Sequence, residues 1–229
     1  MAMDGEEFRS RRLSALCEFV LSQLPSPPAR VLEVGCGDGE LSRGLARAGY
    51  SVTGIDPKAP EGAIFRRARL EEFHDDSEFD AVVASVSLHH VDDLGSAVER
   101  IEQLLRNGGL LLLEEFAKER FTGATAEWYY HQRRALTAVG SDATPISEDF
   151  EAWLRRWHEE HADIHPLTEL RRELDARFTQ RYCGWVPYLF DYALEDLLEP
   201  VERGLIESGA IAATGFRYIG ERSSLGSPT

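Results

Sequence analysis

Three features are scarce in this sequence: cysteine, positive charge and long apolar runs. Its 229 residues include only three cysteines, and Cys17, Cys36 and Cys183 are too widely spaced to form a metal-binding pair. An odd number of scattered cysteines is typical of reduced thiols, which predicts a cytoplasmic protein. No apolar run is long enough to span a membrane, and the acidic first residues do not have the pattern of a secretion signal.

The shortage of positive charge limits the possible partners. The formal net charge is −15, and the isoelectric point is about 4.9. Binding to a phosphate backbone needs clustered Lys and Arg, so we expect no nucleic acid partner and no anionic membrane surface. Hydrophobic residues make up 43% of the chain, enough for a sizeable core. We expect a single domain over residues 1–229, as a monomer or a homodimer.

The most informative segment is a short apolar strand, 31–34, that ends in a glycine-rich turn. Gly35, Gly37 and Gly39 alternate in this turn, and a helix is predicted to begin near Glu40. Strand, turn and helix in this order form the first half of a nucleotide-binding α/β unit. The glycines allow the backbone to pass close to a ligand where a Cβ atom would clash.

The spacing of these glycines discriminates between ligands. A dinucleotide-binding turn would have glycine at position 40, but this chain has Glu40 there and its third glycine at 39. An acidic residue at the start of a helix repels a pyrophosphate, which argues against NAD. S-adenosylmethionine (SAM) has no phosphates, and its sulfonium and ammonium groups tolerate Glu33 and Asp38 nearby. A glycine turn that binds no ligand is the alternative.

Asp56 follows the second predicted strand, 51–55. In a doubly wound sheet, an acidic residue at this tip lies where an adenosine ribose binds, and its carboxylate can accept hydrogen bonds from both hydroxyls. We therefore predict that Asp56, with Pro57 beside it, binds the ribose of SAM. Glu33, Cys36 and the backbone of the glycine turn are predicted to hold the methionine part.

Two motifs resemble a known family. Residues 35–39, Gly-Cys-Gly-Asp-Gly, resemble the first motif of the class I SAM-dependent methyltransferases. Residues 105–112, Leu-Arg-Asn-Gly-Gly-Leu-Leu-Leu, resemble its small-molecule subgroup typified by ubiquinone/menaquinone-biosynthesis enzymes (methyltransferase type 11). The resemblance covers about residues 30–116. It implies a Rossmann-like, doubly wound α/β fold with a mostly parallel seven-stranded sheet, a reversed last strand, SAM as cofactor and S-adenosyl-L-homocysteine (SAH) as product.

The alternation of strands and helices favours the same architecture. Further strands are predicted at 63–68, 79–85, 110–113 and 210–220, and amphipathic helices at 8–24 and 93–106. In the family, an acidic residue after the third strand often accepts a hydrogen bond from the adenine amino group, but this chain has Arg69 there. The resemblance still implies that the backbone amide of Leu70 contacts the ring. Ser85, which ends the fourth strand, completes the predicted cofactor site.

Two adjacent histidines, His89 and His90, follow the strand 79–85, and Glu115 ends the next strand. Neighbouring strands lie about 4.8 Å apart, so residues at their tips can meet in one pocket. In the resembling sugar and natural-product O-methyltransferases, the first histidine and an acid placed like Glu115, more often Asp, work as base and partner. The resemblance thus implies His89 as general base, Glu115 as its orienting or acceptor-binding partner, and His90 as the reserve. Packing of the loop by these histidines is the alternative.

Residues 117–200 depart from the alternation of strands and helices. Three helices are predicted at 127–139, 148–161 and 168–178, and the first two are rich in Trp and Tyr. We predict a mainly helical insertion over the C-terminal edge of the sheet, where it would roof the acceptor pocket. A small helical subcore with no acceptor role is the alternative.

Three histidines in this segment, His158, His161 and His165, lie among acidic residues. His165 precedes a proline and is predicted to leave the helix that carries the other two. A solvated acidic face explains the pattern better than a metal site, so we expect no metal.

Together these features predict a SAM-dependent methyltransferase that acts on a small-molecule acceptor. O-methylation of a natural product or another metabolite is the specific expectation. The alternatives are a SAM-binding protein that does not methylate and an enzyme that methylates a peptide or protein. The predicted histidine base favours methylation, because a sensor needs no base beside the methyl group.

Overall fold

The computed structural model of the protein describes residues 10–140, 146, 148–192 and 196–223. Phe8, where the first helix is predicted to begin, and the acidic first residues lie outside these ranges. Within them, no helix combines the length and the apolar character that crossing a membrane requires.

One seven-stranded sheet organises the described chain, and its strands are β1 (Arg30–Val34), β2 (Ser51–Asp56), β3 (Phe65–Arg67), β4 (Phe79–Ser85), β5 (Leu105–Phe116), β6 (Phe178–Val186) and β7 (Gly215–Arg222). The α-helices around it are α1 (Arg11–Gln23), α2 (Glu40–Arg47), α3 (Leu94–Leu104), α4 (Ala124–Ala138), α5 (Phe150–Glu160), α6 (Leu167–Arg177) and α7 (Glu199–Glu207).

The strand order is β3-β2-β1-β4-β5-β7-β6. Strands β1 to β5 pair in parallel, and β7 runs antiparallel to both β5 and β6. This confirms the predicted doubly wound, mostly parallel sheet with a reversed strand near one edge. Because β1 pairs with β2 on one side and β4 on the other, the strand order reverses there and opens a crevice beyond their carboxyl ends.

Side chains alternate between two apolar layers, as a sheet covered on both faces requires. In β4, Val82 and Ala84 join the cluster that contains α3 and α6, whereas Ala81 and Val83 join the cluster that contains α1 and α2. All four of these side chains are fully buried. The core therefore holds the carboxyl ends of β1 and β4 in fixed positions.

One predicted boundary is wrong, and one strand is not predicted. Strand β5 begins at Leu105 rather than at 110, because Leu105 pairs with Phe79 before the register shifts and the ladder resumes at Leu110. Strand β6 lies inside residues 117–200, between α6 and the helical residues that resume at Asp196, and the sequence analysis does not predict it. Residues 179–183 of β6 are all exposed, so the strand has none of the apolar alternation by which a half-buried strand is found in sequence.

Candidate functional site

The glycine-rich turn lies between β1 and α2, as predicted. Gly35 and Gly39 have φ angles of +73° and +79°, which glycine adopts without strain. A Cβ atom on Gly35 would lie 2.5 Å from the Cβ atom of Ser87, and one on Gly39 would lie 2.3 Å from the ring of Phe65. The two glycines are thus required both by the backbone angle and by the neighbouring side chains. The amide of Gly37 donates to the carboxylate of Asp56, which ties the turn to the tip of β2.

Two pockets adjoin this turn and share Gly35 in their walls. The larger, about 320 Å³, is lined by Val34, Gly35, Ile55, Asp56, Pro57, Ala68, Arg69, Leu70, Glu71, Val86, Ser87, His90, Val91 and Asp92. The smaller, about 150 Å³, is lined by Arg12, Leu13, Glu33, Gly35, Cys36, Asp38, Gly39, Glu40, Leu41 and Ser85. We call them the large pocket and the small pocket.

Predicted cofactor residues line both pockets. Asp56, Pro57 and Leu70 belong to the large pocket, and Glu33, Cys36, Gly39 and Ser85 belong to the small pocket. The roles that the sequence assigns to these residues nevertheless remain predictions.

Asp56 has two backbone donors in this structure. Besides the Gly37 amide, at 3.2 Å from Oδ2, the amide of Lys58 donates to Oδ1 at 2.7 Å. These bonds fix the carboxylate at the rim of the large pocket, where each oxygen still has a lone pair for a further donor. A pair of ribose hydroxyls fits that arrangement.

Glu33 is buried in the wall of the small pocket, with 4% of its surface exposed. The hydroxyl of Ser42, on α2, donates to its carboxylate. Burial raises the pKa of Glu33 to about 7, and the Ser42 hydrogen bond and the Arg43 guanidinium oppose that shift only in part. A cationic group bound in the small pocket would stabilise the ionised form of Glu33.

Arg12, on α1, is a pocket residue that the sequence analysis did not find. Its Nη1 donates to Ser85 Oγ at 3.2 Å and to Glu114 Oε1 at 2.7 Å, and its Nε donates to Asp191 Oδ2 at 2.6 Å. Glu114 is fully buried and receives a second guanidinium from Arg217 at 2.6 Å. Only the position of α1 ahead of the glycine turn hints at Arg12 in the sequence, because all of its partners are distant along the chain.

Arg69 lines the mouth of the large pocket, and its Nη1 lies 3.7 Å from Asp92 Oδ2. The two side chains are 61% and 93% exposed, so this ion pair contributes little stability. Leu70, by contrast, is buried, and begins a short 3₁₀ turn that packs against α3. The pocket therefore has an apolar wall, with Ile55 and Val91, that suits a flat ring.

The structure brings His89 and Glu115 together. His89 Nδ1 lies 2.5 Å from Glu115 Oε2, and both side chains are buried. The other carboxylate oxygen of Glu115 accepts from the amides of Ser87 and Leu88. His90 is exposed and lines the large pocket, whereas His89 lines neither pocket. Desolvation of the ring by the atoms around it, together with the neighbouring His89, lowers the pKa of His90 and so favours its neutral form.

Val86 has an unusual backbone. Its φ angle is +51°, which is a genuine outlier for a β-branched residue. It follows Ser85 at the end of β4, lines the large pocket and packs against an aromatic cluster described next. Strain of this kind persists only where the surroundings impose it, and it concentrates at functional sites.

Aromatic side chains cluster at the carboxyl end of β5, directly after Glu115. We call this the aromatic cluster; its buried members include Phe116, Phe121, Tyr129, Tyr130, Trp153, Trp157 and Tyr188. Phe116 stacks on Tyr188 at 5.1 Å and packs edge-on against Trp157 at 6.1 Å. The aromatic cluster forms a subcore of the helical segment. It also borders the site through Phe116 and Val86.

Two histidines of this segment, His161 and His165, have hydrogen-bond partners in the protein. His161 contacts the carbonyl of Trp157 and the hydroxyl of Tyr192, each at 2.7 Å. His165 contacts the carbonyl of Val91 at 2.8 Å and Glu169 at 3.1 Å. The contact of His165 with Val91 connects the helical segment to the loop that carries His89 and His90.

Comparisons of this chain with known proteins agree on one family. A family model described as a methyltransferase domain matches residues 6–177. An uncharacterized methyltransferase of Mycobacterium tuberculosis is 38% identical over 101 residues, which cover 38% of this chain and 50% of that protein. The mitochondrial ubiquinone biosynthesis O-methyltransferase of Mus musculus is 32% identical over 135 residues, which cover 51% of this chain and 36% of that protein. The chain thus spans half or less of the length of these relatives.

Solved structures share the fold at low identity. The N-methyltransferase NodS from Bradyrhizobium japonicum, in complex with SAH, superposes with a TM-score of 0.56 at 14% identity, covering 93% of this chain and 86% of that one. A 1,6-didemethyltoxoflavin-N1-methyltransferase from Burkholderia thailandensis, also with SAH bound, superposes with a TM-score of 0.52 at 18% identity. The superposition covers 93% of this chain and 78% of that one. At these identities the likeness establishes the fold alone.

Proposed function

Because this chain belongs to the methyltransferase domain family, we propose that it transfers a methyl group from SAM to an oxygen atom of a small-molecule acceptor. The family match confirms the resemblance of the glycine turn to the class I enzymes. The observation that carries the proposal is the pair of pockets that meet at Gly35. The large pocket has the carboxylate of Asp56 and apolar walls. The small pocket has three acidic side chains and one guanidinium.

The residues present fit SAM part by part. Asp56 would accept from the ribose hydroxyls, and Leu70 with the apolar wall of the large pocket would contact the adenine. In the small pocket, Glu33 and Asp38 would face the cationic groups, and Arg12 would receive the carboxylate. Each charged part of the cofactor therefore has a partner of opposite sign.

When bound, SAM supplies a methyl group on a cationic sulfur, which departs as the neutral thioether of SAH and needs no assistance. The protein must align the acceptor at about 3–3.5 Å from the methyl carbon and remove its proton. We assign proton removal to His89. Glu115 holds Nδ1 of His89, so Nε2 carries the free lone pair that can take the proton. His90, which lines the large pocket, is the alternative base.

The acceptor would lie between this loop and the aromatic cluster, and we propose a ring-bearing or partly apolar metabolite, such as a natural product. The O-methyltransferase relatives support oxygen as the acceptor atom. The three free cysteines support a cytoplasmic location.

The test is a methyl-transfer assay with purified protein and SAM labelled in its methyl group. A panel of phenols, aliphatic alcohols, amines and peptides would be offered, and we expect label on a small hydroxylated ring compound together with an equal amount of SAH. Label on a peptide alone would overturn the small-molecule assignment. Tight SAM binding with no label on any compound would favour a SAM-binding protein that does not methylate.

A further inference from the structure

Arg12 connects the small pocket to the opposite side of the site. Its guanidinium contacts Ser85 at the end of β4, Glu114 on β5 and Asp191 in the loop after β6. Asp191 holds it through the Nε atom at 2.6 Å, and the other two partners share Nη1. Nη2 has no hydrogen bond to any residue that the structure describes. The guanidinium is thus fixed on two of its three nitrogens.

A carboxylate is the group that this remaining nitrogen fits. Arg12 is the one cation that lines the small pocket among the described residues, and the other charged residues there are Glu33, Asp38 and Glu40. Arginine forms strong, geometrically specific hydrogen bonds with carboxylates. A ligand with an amino acid end would therefore place its carboxylate on Arg12 and its ammonium group toward the acidic residues.

Asp191 belongs to a loop, residues 187–192, that borders the aromatic cluster. Two of its rings, Tyr188 and Tyr192, stack on Phe116 at 5.1 and 6.2 Å, directly after Glu115. The first half of the loop is held by Glu202, whose buried carboxylate accepts from the amides of 188, 189 and 190. In the second half, the Asp191 side chain is held by Arg12 and the Tyr192 carbonyl by Tyr129.

We propose that the Arg12–Asp191 ion pair couples the small pocket to the loop 187–192. The carboxylate of the cofactor, when bound to Arg12, orders this loop. The loop in turn holds Arg12 in the position that binds the cofactor. Asp191 is a positioning residue for the cofactor, although it lies in the wall of neither the large nor the small pocket. The proposal rests on the proposed function. By reciprocity, an acceptor that orders the loop tightens cofactor binding by the same factor as the cofactor tightens acceptor binding.

Hydrogen exchange and calorimetry with SAH as the probe test this without knowledge of the acceptor. Amide exchange is measured for peptides that cover residues 188–192, with and without SAH, in the wild-type protein and in Asp191→Asn. SAH affinity is measured for the same proteins, for Asp191→Glu, which keeps the charge, and for Asp75→Asn. Asp75 forms an ion pair with Arg30 at 2.9 Å, at the far end of β1, and is the matched control.

We expect SAH to slow exchange at 188–192 in the wild-type protein. In Asp191→Asn we expect that protection to disappear and SAH affinity to fall by about fivefold or more, with partial recovery in Asp191→Glu and no change in Asp75→Asn. If SAH binds to the wild-type protein but leaves exchange at 188–192 unchanged, the coupling is wrong, whatever the variants do. Unchanged affinity in a folded Asp191→Asn also overturns it. If the wild-type protein does not bind SAH, the proposed function itself fails.

Discussion

His89 and Glu115 form a buried histidine–carboxylate pair, with Nδ1 and Oε2 2.5 Å apart. The second oxygen of Glu115 accepts from two consecutive amides, those of Ser87 and Leu88. The carboxylate therefore fixes both the imidazole and the backbone of the loop that carries it. Such a second group orients a base and selects its tautomer.

Replacement of His89 tests its role as the base. We expect His89→Ala to lower kcat by roughly 10²- to 10⁴-fold and to leave SAH affinity unchanged, because proton transfer is lost and the cofactor pockets are not touched. His90→Ala is the matched control and should keep most of the activity. Steady-state kinetics with the acceptor found in the assay, together with calorimetry, make the comparison. The opposite ranking of the two variants would transfer the role to His90.

From the raised pKa of Glu33 we predict that the stability of the protein depends on pH. Burial raises its pKa in the folded protein to about 7, from the ordinary value of 4.5. The folded state therefore holds the proton more tightly, and the stabilisation from this group is complete below pH 4.5 and is lost as the pH rises through 7. By linkage the loss is roughly 3 kcal/mol in the free energy of unfolding. Glutamine resembles the protonated acid, so Glu33→Gln should not show this loss.

Urea unfolding of both proteins at pH 5 and pH 8 measures this difference. We expect Glu33→Gln and the wild-type protein to be similar at pH 5, and the variant to be the more stable at pH 8. Other groups titrate alike in both proteins and cancel in the comparison. A difference that does not change with pH would show that Glu33 has an ordinary pKa.

From the backbone angle of Val86 we predict that glycine is more stabilising than alanine at this position, which is unusual next to a strand. With φ at +51°, any residue that has a Cβ atom is strained, and the left-handed conformation costs about 1–2 kcal/mol. Val86→Gly and Val86→Ala both remove the packing of the side chain, but only glycine removes the strain. Val86→Gly should therefore have the larger free energy of unfolding, by about 1–2 kcal/mol, in urea titrations. Greater stability of the alanine variant would mean that the backbone is not strained there.

Glu202 connects α7 to the loop 187–192, and we predict that this connection stabilises the protein. Its side chain is fully buried and accepts three amide hydrogen bonds. In Glu202→Gln the new amide group cannot accept from the donors that it faces, so we expect a loss of roughly 1–3 kcal/mol in the free energy of unfolding. Glu207→Gln, at an exposed position of the same helix, is the control and should change it by less than about 0.5 kcal/mol. Equal effects of the two changes would contradict the role of these bonds.

The sequence predicts the parts of this site that depend on local pattern and strand order. The glycine turn, the strand ends and the approach of His89 to Glu115 all follow from a parallel sheet in which β4 and β5 are neighbours. The parallel strands are buried on both faces, so their apolar runs are visible in sequence.

Long-range contacts account for what the sequence does not predict. Arg12 meets Ser85, Glu114 and Asp191 only after folding, and each ion pair depends on side-chain geometry rather than on spacing. Strand β6 is missed because its residues pair with residues of β7 that lie 29 to 44 positions later, and because most of its side chains are exposed. The positive φ angle of Val86 has no signal in sequence, since valine is a residue that disfavours it.

Titration of SAH into the purified protein tests the central claim, that the two pockets around Gly35 bind SAM. We expect one binding site, no binding of NAD under the same conditions, and an affinity reduced by roughly 10- to 100-fold in Asp56→Ala, which corresponds to the loss of about 1.5–3 kcal/mol of hydrogen bonding to a charged group. Asp76→Ala, an exposed aspartate between β3 and β4, should bind SAH as the wild-type protein does. Absence of SAH binding, or equal affinity in Asp56→Ala and Asp76→Ala, would contradict the account.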